Sequence, residues 1–267
     1  MSFSVYDPAD ATGERSPKTI NIVVPMAGIS GPDDATRPYP LLLTEINQKP
    51  LVELALAPLK DLKCKKRFVF VVTEPHCREY ALDSVLRFAL QDADDAECEI
   101  VKLKQVPQGA ACTVLMAIEQ IDSASPLVVM NCDHVIDYDL DIVLKDFQQR
   151  GLDAGVICFD SIHPRWSSVI VDAEGALLEA SEKRPISRDA IAGFYYFRRG
   201  SDFMASVMSM IRKGASKDGQ YYIAPAMNEM IIRGTRTGMH RIPNQCYHNF
   251  SSVEELSDYA ARLRRAA

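Results

Sequence analysis

The sequence predicts an α/β fold: a mostly parallel, doubly wound central sheet with helices on both faces and antiparallel structure added at one edge. Apolar, largely β-branched runs at 20–24, 68–72 and 127–130 suit strands covered on both faces. They alternate with helical apolar patterns, giving the order β-α-β-α-β-α-β-α, which implies right-handed crossovers. After Gly151 the spacing shortens. Residues 154–159, 168–172, 176–181 and 191–197 read as short strands joined by turns such as Asp172-Ala173-Glu174-Gly175.

Taken in order, residues 1–18 are polar and carry Pro8, Gly13 and Pro17, which predicts a flexible arm. Residues 19–25 form the first strand, ended by Pro25, which has no N–H to pair. Residues 28–40 hold Gly28, Gly31, Pro32, Asp33, Asp34, Pro38 and Pro40 and read as a loop. A loop at the carboxyl end of a first parallel strand suits a nucleotide. It suits a plain strand-to-helix turn equally, because no full G-x-G-x-x-G or Walker pattern is present. Residues 41–46 read as extended and 47–50 as a turn. Pro50 then opens a helix with Leu51, Val52, Leu54, Ala55, Leu56 and Leu59 on its apolar face. A strand over 68–73, a helix over 79–89, a strand over 99–103, a helix opening at Gly109, a strand over 127–130 and a helix over 141–149 follow. Beyond the short strands come helices at 202–211 and 227–232, a last strand at 241–248 and a closing helix at 253–265. Ser251 or Ser252 would cap that last helix. No internal repeat and no linker divides residues 19–267.

The formal charge of −6, with no Lys/Arg stripe, argues against a nucleic-acid partner. The seven cysteines are scattered, with no C-x-x-C pair, a pattern of reducing compartments. The polar N-terminus lacks a signal-peptide apolar region, and no apolar run is long enough to span a bilayer. A cytoplasmic protein without membrane contact is expected.

Candidate chemistry gathers at strand ends. Asp133 follows the strand at 127–130, where a carboxylate can hold Mg²⁺ against nucleotide phosphates. Asp137-Tyr138-Asp139 has a D-x-D spacing that could do the same, or could merely cap the next helix. Gln105 and Gln108-Gly109 lie between a strand and a helix start. An amide offers donor and acceptor side by side to a base edge, though a polar loop has the same look. Glu182-Lys183-Arg184-Pro185 follows a strand, and its cations would neutralise phosphate beside a nucleotide, or form an ordinary basic turn. His134, His163 and His248 lack metal-ligand spacing, and no G-x-S-x-G elbow is present.

Together these stretches resemble the sugar-1-phosphate nucleotidyltransferases, whose members condense an NTP with a sugar phosphate and release pyrophosphate. The resemblance covers nearly everything after residue 18. It is clearest at Val24-Pro25-Met26-Ala27-Gly28, Lys49-Pro50-Leu51, Gln108-Gly109-Ala110-Ala111, Asn131-Cys132-Asp133-His134, Glu182-Lys183-Arg184-Pro185-Ile186-Ser187 and Ala192-Gly193-Phe194-Tyr195-Tyr196-Phe197. It implies a Rossmann-like sheet, with a nucleotide-binding half at 19–150 and a sugar-phosphate-binding half at 151–267. Ala27 and Gly28 would contact the nucleotide through the backbone, Gln105 and Gly109 would meet the base, and Asp133 would hold Mg²⁺. Glu182 would bind sugar hydroxyls, Lys183 the sugar phosphate, and Ile191, Ala192 and Gly193 would line the sugar pocket. A homo-oligomer is compatible with the family, as is a role in polysaccharide biosynthesis.

The chain departs from the family pattern at charged positions. The arginine expected in the glycine loop is replaced by Pro32, Asp33 and Asp34, with Arg37 as its substitute if the loop is longer. The following lysine reads Tyr39. The second metal carboxylate reads Asn249, and the sugar-side glycine reads Ser167 or Ser168. These departures keep two other readings open: a catalytically impaired binding or regulatory protein, and a glycosyltransferase of similar fold that uses Asp137 and Asp139.

Overall fold

The computed structural model describes residues 19–28, 39–250 and 253–266. The expected arm at 1–18, most of the loop at 28–40, Arg37 and both candidate cap serines lie outside the described residues. At the centre runs β1 (Ile20–Pro25). It pairs in parallel with β4 (Lys66–Thr73) on one side and β6 (Leu127–Met130) on the other, and β4 pairs in parallel with the edge strand β5 (Ala96–Leu103). The two-residue period of a strand explains the two cores. Ile22, Val24, Phe68 and Phe70 pack on one face, while Val23, Val69 and Val71 pack on the other. All seven are fully buried, so the runs read from sequence are those of strands covered on both sides.

Between β1 and β4 lies a small hairpin, β2 (Glu45–Ile46) and β3 (Lys49–Pro50), turned by Asn47 and Gln48 at φ of 49° and 69°. Residues Leu41–Leu43, expected to be extended, form a 3-10 turn after Pro40. Helix α1 (Leu51–Lys60) starts directly after Pro50, as expected. The single helix predicted over 79–89 is two, α2 (Glu74–Tyr80) and α3 (Leu82–Ala89), broken where Ala81 turns left-handed at φ 49°. After β5 come α4 (Ala110–Leu115) and α5 (Ile118–Ile121). After β6, a short strand β7 (His134–Ile136) leads into α6 (Leu140–Gln149). Asp139 caps α6 by accepting from the Asp141 N–H at 2.9 Å, the modest role its sequence position allowed.

The second half extends the sheet. Strands β8 (Ala154–Asp160), β9 (Ser168–Val171), β10 (Leu177–Ser181) and β11 (Asp189–Phe197) are antiparallel additions. Helices α7 (Gly200–Arg212) and α8 (Ala226–Ile232) follow. The strand expected over 241–248 is split: β12 (Thr237–Arg241) joins β8 in parallel, and β13 (Tyr247–Asn249) pairs with β7. Pro243 and a 3-10 turn at Asn244–Cys246 separate them. The chain closes with α9 (Val253–Ala266). Sheet order is β10-β9-β11-β6-β1-β4-β5, with β8 and β12 joined through β11. At the β10 edge, the Asn228 amide donates to the Ala180 carbonyl and accepts from its N–H, both at 2.8 Å. None of the seven cysteines forms a disulfide. No helix among the described residues is long and apolar enough to cross a membrane.

Candidate active site

Strand β11 organises the site because it changes partners along its length. Phe194 to Phe197 pair with β6, whereas Asp189 and Ala190 pair with β9. Between them the chain bulges at Gly193, whose φ is 70°. Single bonds cross there: Asn131 N–H donates to the Gly193 carbonyl at 3.1 Å, and Ile191 N–H to the Ser167 carbonyl at 2.8 Å. A cleft of about 600 Å³ opens at this parting, the size of a small-molecule site. A Cβ on Gly193 would stand 2.6 Å from His134 Cε1, so the bulge has room only for glycine.

The cleft gathers most of the residues singled out in the sequence. Gly28, Gly109, Asp133, Asn249, Glu182, Lys183, Ile191 and Gly193 all line it. Among the described residues, a Cβ on Gly28 would meet nothing within 4 Å. Ala27 and Gln105 line a neighbouring hollow of about 300 Å³, which shares Gly28 and Val106 with the cleft. Ala192 is placed differently from its expected role. Its side chain is fully buried in the core between Ala190 and Phe194, on the opposite face from Ile191. Tyr39 lies at the surface, and Asp137 and Asp139 line a separate hollow with α1 residues and Tyr259.

Asp133 presents a side chain that is 69% accessible, at the end of β6. The surrounding walls work against its charge, but a hydrogen bond to His134, 3.1 Å from Oδ1 to Nδ1, holds its carboxyl below the ordinary range. His134 is buried, and its Nε2 has no partner among the described residues. Among those residues no three His, Cys, Asp or Glu side chains converge on a metal position. One ionised, accessible carboxylate nevertheless fits Mg²⁺, which takes one or two carboxylates and completes its shell from substrate phosphates. Asn249 adds a neutral amide in the same cleft.

Ser167 donates to the Glu182 carboxylate, and Ser168 knits the following turn. Its hydroxyl donates to the Arg184 carbonyl and accepts from the Ile186 N–H, both at 3.0 Å. Lys183 Nζ donates to the Tyr222 hydroxyl at 3.0 Å and lies 4.8 Å from that ring's centroid. Burial raises the Glu182 pKa, opposed by Ser167 and by the charges of Lys183 and Lys217. A carboxylate whose pKa rises on folding costs stability above its folded pKa, and that cost disappears below the unfolded value. Glu182→Gln is therefore expected to raise the melting temperature near pH 7 by about 1–2 °C, a gain that fades toward about pH 4. Thermal melts at the two pH values test it.

Several cleft residues were not anticipated: Arg165, Trp166, Tyr222 and Tyr247. Tyr247 stacks on Phe159 at 4.2 Å, Trp166 stands edge-on to both, and the Arg165 guanidinium lies 5.3 Å from the Trp166 ring centroid. Trp166 is the chain's one tryptophan, which was the available signal.

A doubly wound sheet with a cleft at the carboxyl ends of its parallel strands is the α/β arrangement in which ligands bind where the strands part. The chain belongs to the nucleotidyl transferase family, whose model matches residues 34–233. No curated protein matches it by sequence. Among solved structures, it is similar to a nucleoside-diphosphate-sugar pyrophosphorylase from Vibrio cholerae RC9, with 23% identity and a TM-score of 0.77 over 90% of this chain and 99% of that one. It is also similar to an inositol-1-phosphate CTP transferase from T. maritima, with 15% identity and a TM-score of 0.70 over 91% and 94%. A third is a UDP-glucose pyrophosphorylase complexed with UDP-glucose, with 16% identity and a TM-score of 0.71 over 93% and 100%. At these identities the likeness is one of fold, and it extends along nearly the whole length of each neighbour.

Proposed function

We propose that the protein condenses an NTP with a sugar 1-phosphate to give a nucleotide-activated sugar and pyrophosphate. The observation that carries this reading is one cleft holding an ionised Asp133 together with Glu182 and Lys183, beside a hollow lined by Gln105. Residues 19–150 supply the nucleotide half and residues 151–267 the acceptor half. The base lies against Gln105 and Gly109, and the phosphates pass over Ala27 and Gly28. Glu182 accepts from sugar hydroxyls and Lys183 neutralises the acceptor phosphate. An acceptor phosphate oxygen attacks the α-phosphorus. That P–O bond forms as the bond to the bridging oxygen breaks, and pyrophosphate leaves with its electron pair. Bound Mg²⁺, held by Asp133 with Asn249 beside it, would offset charge on the phosphate oxygens. Unpaired cysteines support a reducing compartment, the cytoplasm.

The test is pyrophosphate release across a panel of NTPs and sugar 1-phosphates with Mg²⁺. Turnover is expected with at least one pair. Lys183→Met is expected to raise the acceptor KM by roughly 10–100-fold, the worth of a hydrogen bond to a charged group, with little change in the NTP KM. Nucleotide binding without any pyrophosphate would overturn this reading in favour of the non-catalytic one that Asn249 motivates.

A further inference from the structure

The stretch between α7 and α8 bonds both to residues 108 and 111 and to residues 182 and 183. Lys217 and Gln220 exchange backbone N–H···O bonds of 2.9 Å, closing a turn whose corners, Asp218 and Gly219, have φ of 52° and 71°. Past the turn, the chain is tied to the nucleotide side. Tyr221 N–H donates to the Gln108 carbonyl at 2.9 Å, and the Tyr221 carbonyl accepts from Ala111 N–H at 3.0 Å. Before the turn, the chain is tied to the acceptor side. Lys217 Nζ donates to the Glu182 carbonyl at 2.6 Å and to the Lys183 carbonyl at 2.9 Å. Lys183 has φ 48°, a left-handed conformation that a lysine adopts only where its surroundings hold it.

We propose that Lys217 is a positioning residue: its ammonium, bonded to two successive carbonyls, fixes the turn that aims Lys183 at the acceptor phosphate. The proposal rests on the reading of Glu182 and Lys183 as the acceptor end of the cleft. Bonds from an ammonium to carbonyls are charge-assisted, so one side chain both restrains the backbone and holds Lys183 in its left-handed conformation. The Lys217 carbonyl and N–H are already used in the turn with Gln220, so Lys217 reaches residues 182–183 through its side chain, and it holds their backbone where Tyr222 holds only the Lys183 ammonium.

The experiment compares Lys217→Met, which keeps the aliphatic stem, with Lys217→Arg, which keeps the charge. For Lys217→Met the acceptor KM is expected to rise roughly tenfold while kcat and the NTP KM stay unchanged, and Lys217→Arg is expected to recover part of that loss. Hydrogen exchange of residues 182–186 is expected to be faster in Lys217→Met than in the parent protein. An unchanged acceptor KM, or kcat and both KM values shifting together, overturns the positioning role. If the parent protein releases no pyrophosphate, the functional reading fails by itself and the exchange comparison decides on Lys217; equal exchange then overturns the proposal. Should Lys217→Met not fold, Lys217→Gln carries the same comparison.

Discussion

Asp133→Asn is expected to lower kcat by about 10²–10³, the usual cost of removing one preorganised charge-stabilising group. The change is nearly isosteric, and the side chain faces the cleft, so the fold should be unaffected. The amide oxygen of the substituted side chain can still accept from the buried His134, so that imidazole keeps its orientation. What is lost is the negative charge. In the parent protein, the hydrogen bond to His134 holds this carboxyl below the ordinary range despite the surrounding walls, so it is ionised throughout neutral pH. The contribution of Asp133 to activity should therefore be lost in acid only below the ordinary carboxylate range, whereas Glu182, whose pKa burial raises, takes up its proton above that range. Steady-state pyrophosphate release, titrated with Mg²⁺, measures the effect. Turnover within about tenfold of the parent would remove Asp133 from the catalytic machinery.

Gly109→Ala is expected to have the largest effect on stability, about 2–4 kcal/mol from left-handed strain and overpacking together. Gly109 has φ 99°, and a Cβ there would stand 2.4 Å from the Tyr221 carbonyl oxygen, 2.7 Å from its nitrogen and 2.9 Å from its carbonyl carbon. These are backbone atoms, held from both sides by hydrogen bonds to Gln108 and Ala111, so no side-chain rotation relieves the contact. The melting temperature should fall by roughly 5–15 °C, and, on the proposed function, the NTP KM should rise because Gly109 is the residue set against the base. An unchanged melting temperature would show that the hairpin at 217–220 moves aside freely.

The central sheet was legible because buried parallel strands leave long apolar runs, and those at β1, β4 and β6 have little competing interpretation. Breaks were less legible. Ala81 ends one helix and begins the next in a left-handed conformation that nothing about alanine announces. The split between β12 and β13 did have a signal in Pro243, whose ring cannot donate to a ladder, but one strand over 241–248 was expected across it. The departure at Ala192 was also legible: strand alternation places residues 191 and 192 on opposite faces, so they do not share one pocket wall. Asp133, Glu182 and Lys183, which line the cleft, could be singled out because they sit just beyond strand ends. Arg165, Trp166, Tyr222 and Lys217 were missed because their convergence depends on β11 exchanging partners and on a loop from between α7 and α8. Neither is encoded in local periodicity.

The amide of Asn228 has a further consequence. By satisfying both peptide groups of Ala180 on the open side of β10, it acts as a one-residue surrogate for the next strand. An incoming extended chain finds that docking position taken, which discourages edge-to-edge aggregation and donor-strand exchange. The protection lies on the strand whose end leads into Glu182 and Lys183, so the acceptor end is also kept from being drawn into an intermolecular sheet.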